Sequence, residues 1–355
     1  MSSETGEPRD PPWFECPVPL AGSDTILLGH GGGGKLGARL VEETILPALH
    51  NETLAALDDQ AVLALGGPRI AFTTDSYVVT PIFFPGGDIG ELAVNGTVND
   101  LAVGGAVPRA LSLAFILEEG LPLAEFRRVL DSVARAAKRA EVPIVTGDTK
   151  VVGRGSADKI YINTAGIGVV PPGVSLSSQH VRPGDAVLVS GTIGDHGVAI
   201  LSTREGLSFE GVVSDTAPLH GLARALLDAA PGVHAMRDPT RGGVAATLVE
   251  IATRRRVGIE IDETTLPVDA GVRGACEIFG LDPLMVANEG KLVAFVPEDQ
   301  AGAALEAMRA HPLGQQSARI GRVTDEHAGR VVLRTPIGGR RVLDLPLGEA
   351  LPRIC

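Results

Sequence analysis

The sequence predicts a mixed α/β (α+β) fold in two domains. Three observations lead there. The chain has 355 residues, and at about 150 residues per domain that favours two. Strand-like and helix-like stretches are interleaved in both halves, with no fixed-period repeat. A cluster of Pro, Gly and Ser at 171–184 separates the halves as a linker would. The resulting division is a mobile arm over 1–22, a first domain over 23–172, a second over 173–345 and a flexible tail over 346–355.

In the first domain, residues 69–75 (RIAFTTD) read as a strand ending in an acid. Residues 88–104 read as a helix, with Asp88 and Glu91 spaced as a capping box. Residues 109–117 read as a buried strand. The next helix has Leu123, Phe126, Leu130, Val133, Ala134 and Ala137 as its expected apolar face. Residues 142–148 form a strand that again ends in an acid, and 159–170 form a longer one. In the second domain, 185–190, 291–297, 319–323 and 330–333 read as strands. Helices are expected near 219–230, 242–255 and 298–311. The last ten residues, PLGEALPRIC, match neither period and read as an exposed tail.

Composition excludes several functions. Aromatics are only 3%, too few for a base-stacking surface. The net charge of -12 opposes nucleic acid and anionic membranes alike. No run of 18 apolar residues and no signal-like N-terminus occur, so a cytoplasmic protein is expected. Cys16, Cys276 and Cys355 have no metal-ligand spacing and read as free thiols.

Residues 29–35 (GHGGGGK) form the densest glycine loop, between a short apolar run and a helical pattern. Bare N–H groups there can wrap an anion. The loop half-fits two phosphate motifs, but Leu36 stands where a P-loop needs Ser or Thr. A flexible linker and a mobile phosphate-covering loop both remain open. Asp58, Asp59, Asp75, Asp100 and Asp148 each adjoin small or hydroxyl residues. Such acids beside a glycine loop suit a hard divalent cation. Lys150, Glu289, His30 and His196 taken singly read as surface or core residues. Cys355 is the terminal residue, a strong nucleophile on an arm, with Arg353 expected to favour its thiolate.

Longer stretches carry a more specific signal. HGGGG, TDSYVVTPIFFPGGDIGELA, NGTVNDLAVGGAVPRALS, IVTGDTKVV, SGTIGDHGVAI, RDPTRGGV, ANEGKL and the terminal PRIC occur in order. Together they resemble the HypE family of hydrogenase maturation factors, relatives of aminoimidazole ribonucleotide synthetase and selenophosphate synthetase. The resemblance implies a first domain that binds ATP and pairs across a homodimer. It implies ATP-dependent dehydration of a carbamoyl group on Cys355 to a thiocyanate, the source of the cyanide ligand of [NiFe]-hydrogenase. The HypF carbamoyltransferase would load the cysteine, and a HypC–HypD complex would receive the cyano group. Carried onto this chain, the resemblance places ATP on Gly31, Gly32, Gly33, Gly34, Asp59, Asp75, Asn99, Asp100, Asp148 and Thr149. It places Mg2+ on Asp59, Asp75, Asp100 and Asp148. Glu289 is the expected base, assisted by Lys150. The alternative is a related small-molecule phosphotransferase of the selenophosphate synthetase kind. That chemistry wants a Cys in the glycine loop, and none is there.

Overall fold

The computed structural model describes residues 34–49, 51, 53–345, 351 and 353–355. Cys16, His30 and the predicted phosphate contacts Gly31, Gly32 and Gly33 lie outside the described residues.

The chain enters as α1 (Lys35–Arg39), passes a π turn, and continues as α2 (Leu46–Leu49). The first sheet follows: β1 (Ala61–Ala64) and β2 (Arg69–Tyr77), then a small hairpin of β3 (Phe83–Phe84) and β4 (Gly87–Asp88). After α3 (Ile89–Val103) come β5 (Val107–Glu118), α4 (Leu123–Ala140), β6 (Ile144–Val152) and β7 (Ile160–Val169). Five strands assemble in the order β1-β2-β7-β5-β6. Only β5 and β6 run parallel, because α4 carries the chain back between them. Helices cover one face. Pleating sends Ala71, Thr73 and Tyr77 of β2 inward and leaves Phe72 exposed on the other side.

Asp88 caps α3, accepting from the N–H groups of Gly90 (2.8 Å) and Glu91 (3.1 Å). The expected capping box is only half built, since the Glu91 carboxylate pairs with Arg139 of α4 instead. The expected face of α4 is also corrected. Val129, Val133, Ala136 and Ala140 are buried, while Leu123 is 68% exposed and Ala134 is exposed. The reason is close approach. A Cβ on Gly90 of α3 would sit 2.7 Å from the Val129 carbonyl, so the small-residue stripe of α4 faces α3 and the larger leucines turn outward.

The second domain holds β8 (Asp185–Val189), α5 (Asp195–Arg204), α6 (His220–Ala229), β9 (Ala235–Arg237), α7 (Gly243–Arg255) and β10 (Gly258–Asp262). It continues with α8 (Ala270–Phe279), β11 (Val293–Pro297), α9 (Ala301–Ala310), β12 (Ala318–Thr324), β13 (Val331–Arg334) and β14 (Arg340–Leu343). The sheet order is β14-β13-β10-β12-β8-β11-β9. β8 is buried at every position, because α7 packs beneath it and α6 and α9 lie above.

α3 is buried nearly all round, as a helix between two layers must be. It contacts the first sheet on one side and α6 on the other. The terminal residues depart from the sequence expectation. Ile354 is 2% exposed and Cys355 8%, both within the core cluster of the first domain. The N–H of Val78 donates to the terminal carboxylate of Cys355 (3.2 Å), and that of Thr80 to the Arg353 carbonyl (3.2 Å). Unpaired backbone just beyond β2 thus captures the chain end, which local periodicity could not foretell. Among the described residues no helix is long and apolar enough to cross a membrane.

Candidate active site

A cavity of about 290 Å3 opens between the two domains. The first domain lines it with Asp59, Asp75, Tyr77 and Asp100, and the second with Arg237, Asp238, Arg241 and Glu289. Cys355 lies on its wall.

The acids arrive from separate elements. Asp75 sits on β2, where the Tyr77 hydroxyl donates to it (3.2 Å). That hydroxyl crowds α3 so closely that a Cβ at Gly96 would lie 2.1 Å away, so only glycine fits. Asp100 lies near the end of α3. Thr73 Oγ1 is 2.6 Å from Asp100 Oδ2 and 2.9 Å from the Asp59 carbonyl. One hydroxyl proton cannot serve both, so both contacts are satisfied when Asp100 keeps its own proton. Its pKa agrees. Burial, then the charge of Asp75, holds it well above the usual carboxylate range. Burial likewise raises Asp59 to about 6, against the pull of Arg237, whose Nε lies 2.5 Å from Asp59 Oδ2. Asp238 rises to about 8, by burial and then by repulsion from Asp59.

Glu289 is 3% exposed, and its Oε1 is buried without a hydrogen-bond partner. Burial, then Asp238, pushes its pKa well up, with Arg241 pulling the other way. Its backbone is held firmly. Its N–H donates to Asp215 (3.0 Å), and Asn99 Nδ2 donates to its carbonyl (3.1 Å). Asp215 is in turn 3.3 Å from Lys291. Burial raises the Cys355 thiol far above its ordinary value, with Arg241 opposing. Without desolvation relief, Cys355 is a thiol and not a thiolate.

The predicted residues therefore divide. Asp59, Asp75, Asp100, Glu289 and Cys355 share one cavity. Asp148, Thr149 and Lys150 do not join them within one chain. Asp148 pairs in register with Ala114, Asn163 and Ser76, which places it on the open face of the sheet. There it is exposed and bound to Lys150 (3.1 Å), whose hydrogen bond is the first cause of its lowered pKa. Asn99 does not line the cavity either. Both its N–H bonds go to carbonyls, of Ala217 and Glu289, and its Oδ1 accepts from Leu219 N–H (2.7 Å). In this chain its amide joins the two domains. Gly34 precedes the first turn of α1 and is buried there. Arg353 pairs with Asp158, so the cation beside the thiol is Arg241. Asp58 accepts from the hydroxyls of Ser177 (2.7 Å) and Ser178 (2.6 Å) and so ties down the linker.

Arg237, Asp238 and Arg241 were not assigned roles from sequence. Their signal was present in RDPTRGG, a charged turn before a helix. A larger cavity, about 400 Å3, lies on the outer face of β10, β12 and β13. Its acids Glu260 and Asp262 are paired with Arg322 and Arg334, which leaves it without comparable chemistry.

Known proteins resemble this chain along nearly its whole length. Residues 57–170 match the AIR synthase related protein N-terminal domain, and 182–334 its C-terminal domain. Carbamoyl dehydratase HypE of Azotobacter vinelandii is 54% identical over 332 residues, 93% of this chain and 97% of that protein. The protein of the same description from Escherichia coli K12 is 50% identical over 338 residues, 94% of this chain and 100% of that one. Among solved structures, HypE in complex with ATP superposes with a TM-score of 0.79 at 50% identity, covering 93% of this chain and 100% of the other. A HypE–HypF complex gives 0.82 at 49% identity, covering 86% of this chain and 99% of the other. With both domain types matched in order and identity near half along nearly the whole length, the chain belongs to the HypE family of carbamoyl dehydratases, within the AIR synthase related proteins.

Proposed function

We infer that this chain is an ATP-dependent carbamoyl dehydratase of hydrogenase maturation whose substrate is its own modified C-terminus. The observation that carries this reading is Cys355 inside a cavity of acids, beside Arg241 and Glu289. The reaction converts S-bound carbamoyl and ATP to S-bound cyanide, ADP and phosphate. The carbamoyl oxygen attacks the γ-phosphorus, and the bond from that phosphorus to the ADP oxygen breaks. The C–O bond then breaks as phosphate leaves, and two protons leave nitrogen. An amide oxygen is a poor leaving group, and phosphorylation makes it a good one.

Glu289 is the proposed proton acceptor. A buried carboxylate with a raised pKa is a stronger base than an exposed one once ionised, and Arg241 favours that ionised form. The unpartnered Oε1 is the atom free to take a proton. Arg241 also suits negative charge developing on the carbamoyl oxygen.

The cavity's donors fit Mg2+. They are hard oxygens, and burial first and mutual repulsion second make Asp59, Asp100 and Asp238 hold protons more tightly than usual. They do not close on one point as a three-carboxylate cage. Mg2+ suits that arrangement, since it keeps water and phosphate oxygens and takes one or two carboxylates. Bound there, it would offset charge on the transferring phosphoryl group. Asp59, Asp75, Asp100 and Asp238 are the proposed holders.

Asp148, Thr149 and Lys150 take part in this reading only from a second subunit. Support comes from the open face of the first sheet. It leaves Phe72 43%, Ile116 42% and Ile167 45% exposed, more apolar surface than a finished sheet face shows. We propose a homodimer through that face, with these residues of β6 and the 31–34 glycines on ATP phosphates. The solved complex of a relative with HypF supports HypF as the loading partner. A HypC–HypD complex is the proposed acceptor, and the cytoplasm, where thiols stay reduced, the proposed compartment.

The test is the mass of the C-terminal peptide after incubation with HypF, carbamoyl phosphate and magnesium, with and without ATP. A Cys355 adduct that loses one water only with ATP supports the reading. An adduct that never loses water leaves only a carrier, and the dehydratase reading fails.

A further inference from the structure

The chain end is held by more than its pairing beyond β2. His196, in the first turn of α5, is fully buried, and both ring nitrogens are engaged. Nε2 lies 2.7 Å from the Ile354 carbonyl, and Nδ1 lies 2.8 Å from Ser214 Oγ. A carbonyl can only accept, so Nε2 carries the proton and Nδ1 accepts from the Ser214 hydroxyl. Burial lowers the pKa of the ring, which suits this neutral form. Phe84 meets the imidazole edge-on, with centroids 5.5 Å apart, and fixes its plane.

The other end of α5 does the same work. The Arg204 guanidinium donates to the carbonyls of Arg353 and Thr80. Between these points, Ile200 joins the cluster that contains Ile354 and Cys355. Gly197 completes the seat. A Cβ there would stand 2.4 Å from Val286, so glycine lets α5 pack against that segment, with Leu351 of the tail 3.3 Å away beside it. An ordinary core histidine would satisfy its nitrogens within its own domain. This one spends its only proton on the backbone of the residue before the reacting cysteine.

We propose that His196 and Arg204 are positioning residues that seat the C-terminal tail on α5 by its backbone carbonyls, independently of what the Cys355 sulfur carries. Because the hold is on carbonyls 353 and 354, it is the same for a thiol, a carbamoyl or a cyano group. It places that group against Glu289, and it must release for the cysteine to be loaded elsewhere. Only this last consequence rests on the dehydratase reading.

The test uses the full-length protein and iodoacetamide, with alkylation followed by mass at the Cys355 and Cys276 peptides. Cys276 is buried where α8 packs against Val198 and Ala199 of α5, and so reports loosening of α5 itself. His196→Ala is expected to raise the Cys355 rate about tenfold relative to Cys276, the effect of losing one buried hydrogen bond. His196→Gln, which can restore a donor near Nε2, should recover most of the protection. Arg204→Met should give a smaller rise, again confined to Cys355. Should His196→Ala speed both cysteines together, Arg204→Met decides: a rise at Cys355 alone supports the proposal, and none overturns it. An unchanged Cys355 rate in His196→Ala also overturns it. The assay needs neither ATP nor a carbamoyl group, so its failure is separate from failure of the catalytic reading.

Discussion

The two faces of the first sheet carry acids that look alike in sequence and behave oppositely in the fold. Asp75 in TTDS faces the cavity, and Asp148 in TGDT faces outward from β6. Around Asp75 lie Asp59, Asp100 and Asp238, whose pKa values burial drives up. Asp148 is exposed, and hydrogen bonds to Lys150 and to the Thr149 N–H push it down. A carboxylate short of water holds its proton, and one beside an ammonium gives it up. The inner group is thus poised for cations and proton transfer. The outer pair is an exposed ion pair on the open face of the sheet.

The strongest way to break this comparison is at the cavity. Cys355→Ala should abolish the water loss seen in the C-terminal peptide while ATP binding, read by calorimetry, survives. Glu289→Gln should slow dehydration by about 10²- to 10⁴-fold, as loss of a general base does. Unchanged turnover would remove it from the mechanism.

Next in size is complementation across the dimer. If Asp148 serves the partner's cavity, Asp148→Asn and Glu289→Gln each inactivate both sites of their own homodimers. Mixed and re-equilibrated, they should regain about a quarter of wild-type activity, since half the dimers then hold one intact site. No recovery would return Asp148 to a purely local role.

A smaller effect separates the two faces by pH. Asp59 goes from 3.8 to about 6 and Asp238 from 3.8 to about 8 on folding. Raised folded values mean that the unfolded chain releases these protons first. Stability of the magnesium-free protein should therefore fall as pH rises from about 4 to 8. Thermal melts should show Asp238→Asn flattening this slope and Mg2+ opposing it most at pH 8. Asp148→Asn should leave the slope unaltered.

The smallest contrast tests α4. Leu123→Ala should change stability by less than about 0.5 kcal/mol, while Val133→Ala should cost roughly 2 kcal/mol. Urea denaturation measures both, and Val129→Ala, at a buried position outside the face read from sequence, sharpens the test: a cost below that of Leu123→Ala would restore that face.

Much of the fold was legible beforehand. β2, α3, β5, α4 and β7 stand where periodicity placed them, and Asp88 caps α3 as its position suggested. Short strands such as β9 and β14 carried too few residues to show a period. The face of α4 was misread because leucine outweighs alanine in any hydrophobic pattern, while close packing against Gly90 rewards the smaller side chain. The resemblance alone singled out Asn99, and no local pattern announced its hydrogen-bond partners, which lie more than a hundred residues away.

By itself the sequence determined most elements of the first sheet and its helices, the presence of two domains, the acids as a class and the cysteine at the end. Those depend on local spacing and on residue chemistry. Only the tertiary structure decided which acids share a cavity, that Arg241 and not Arg353 lies near the thiol, and that the last residues are buried. Burial sets the pKa of every group involved, and burial is a property of what comes from the rest of the chain. The backbone carbonyls at 353 and 354 carry no sequence signal at all, yet His196 and Arg204 hold the tail by them.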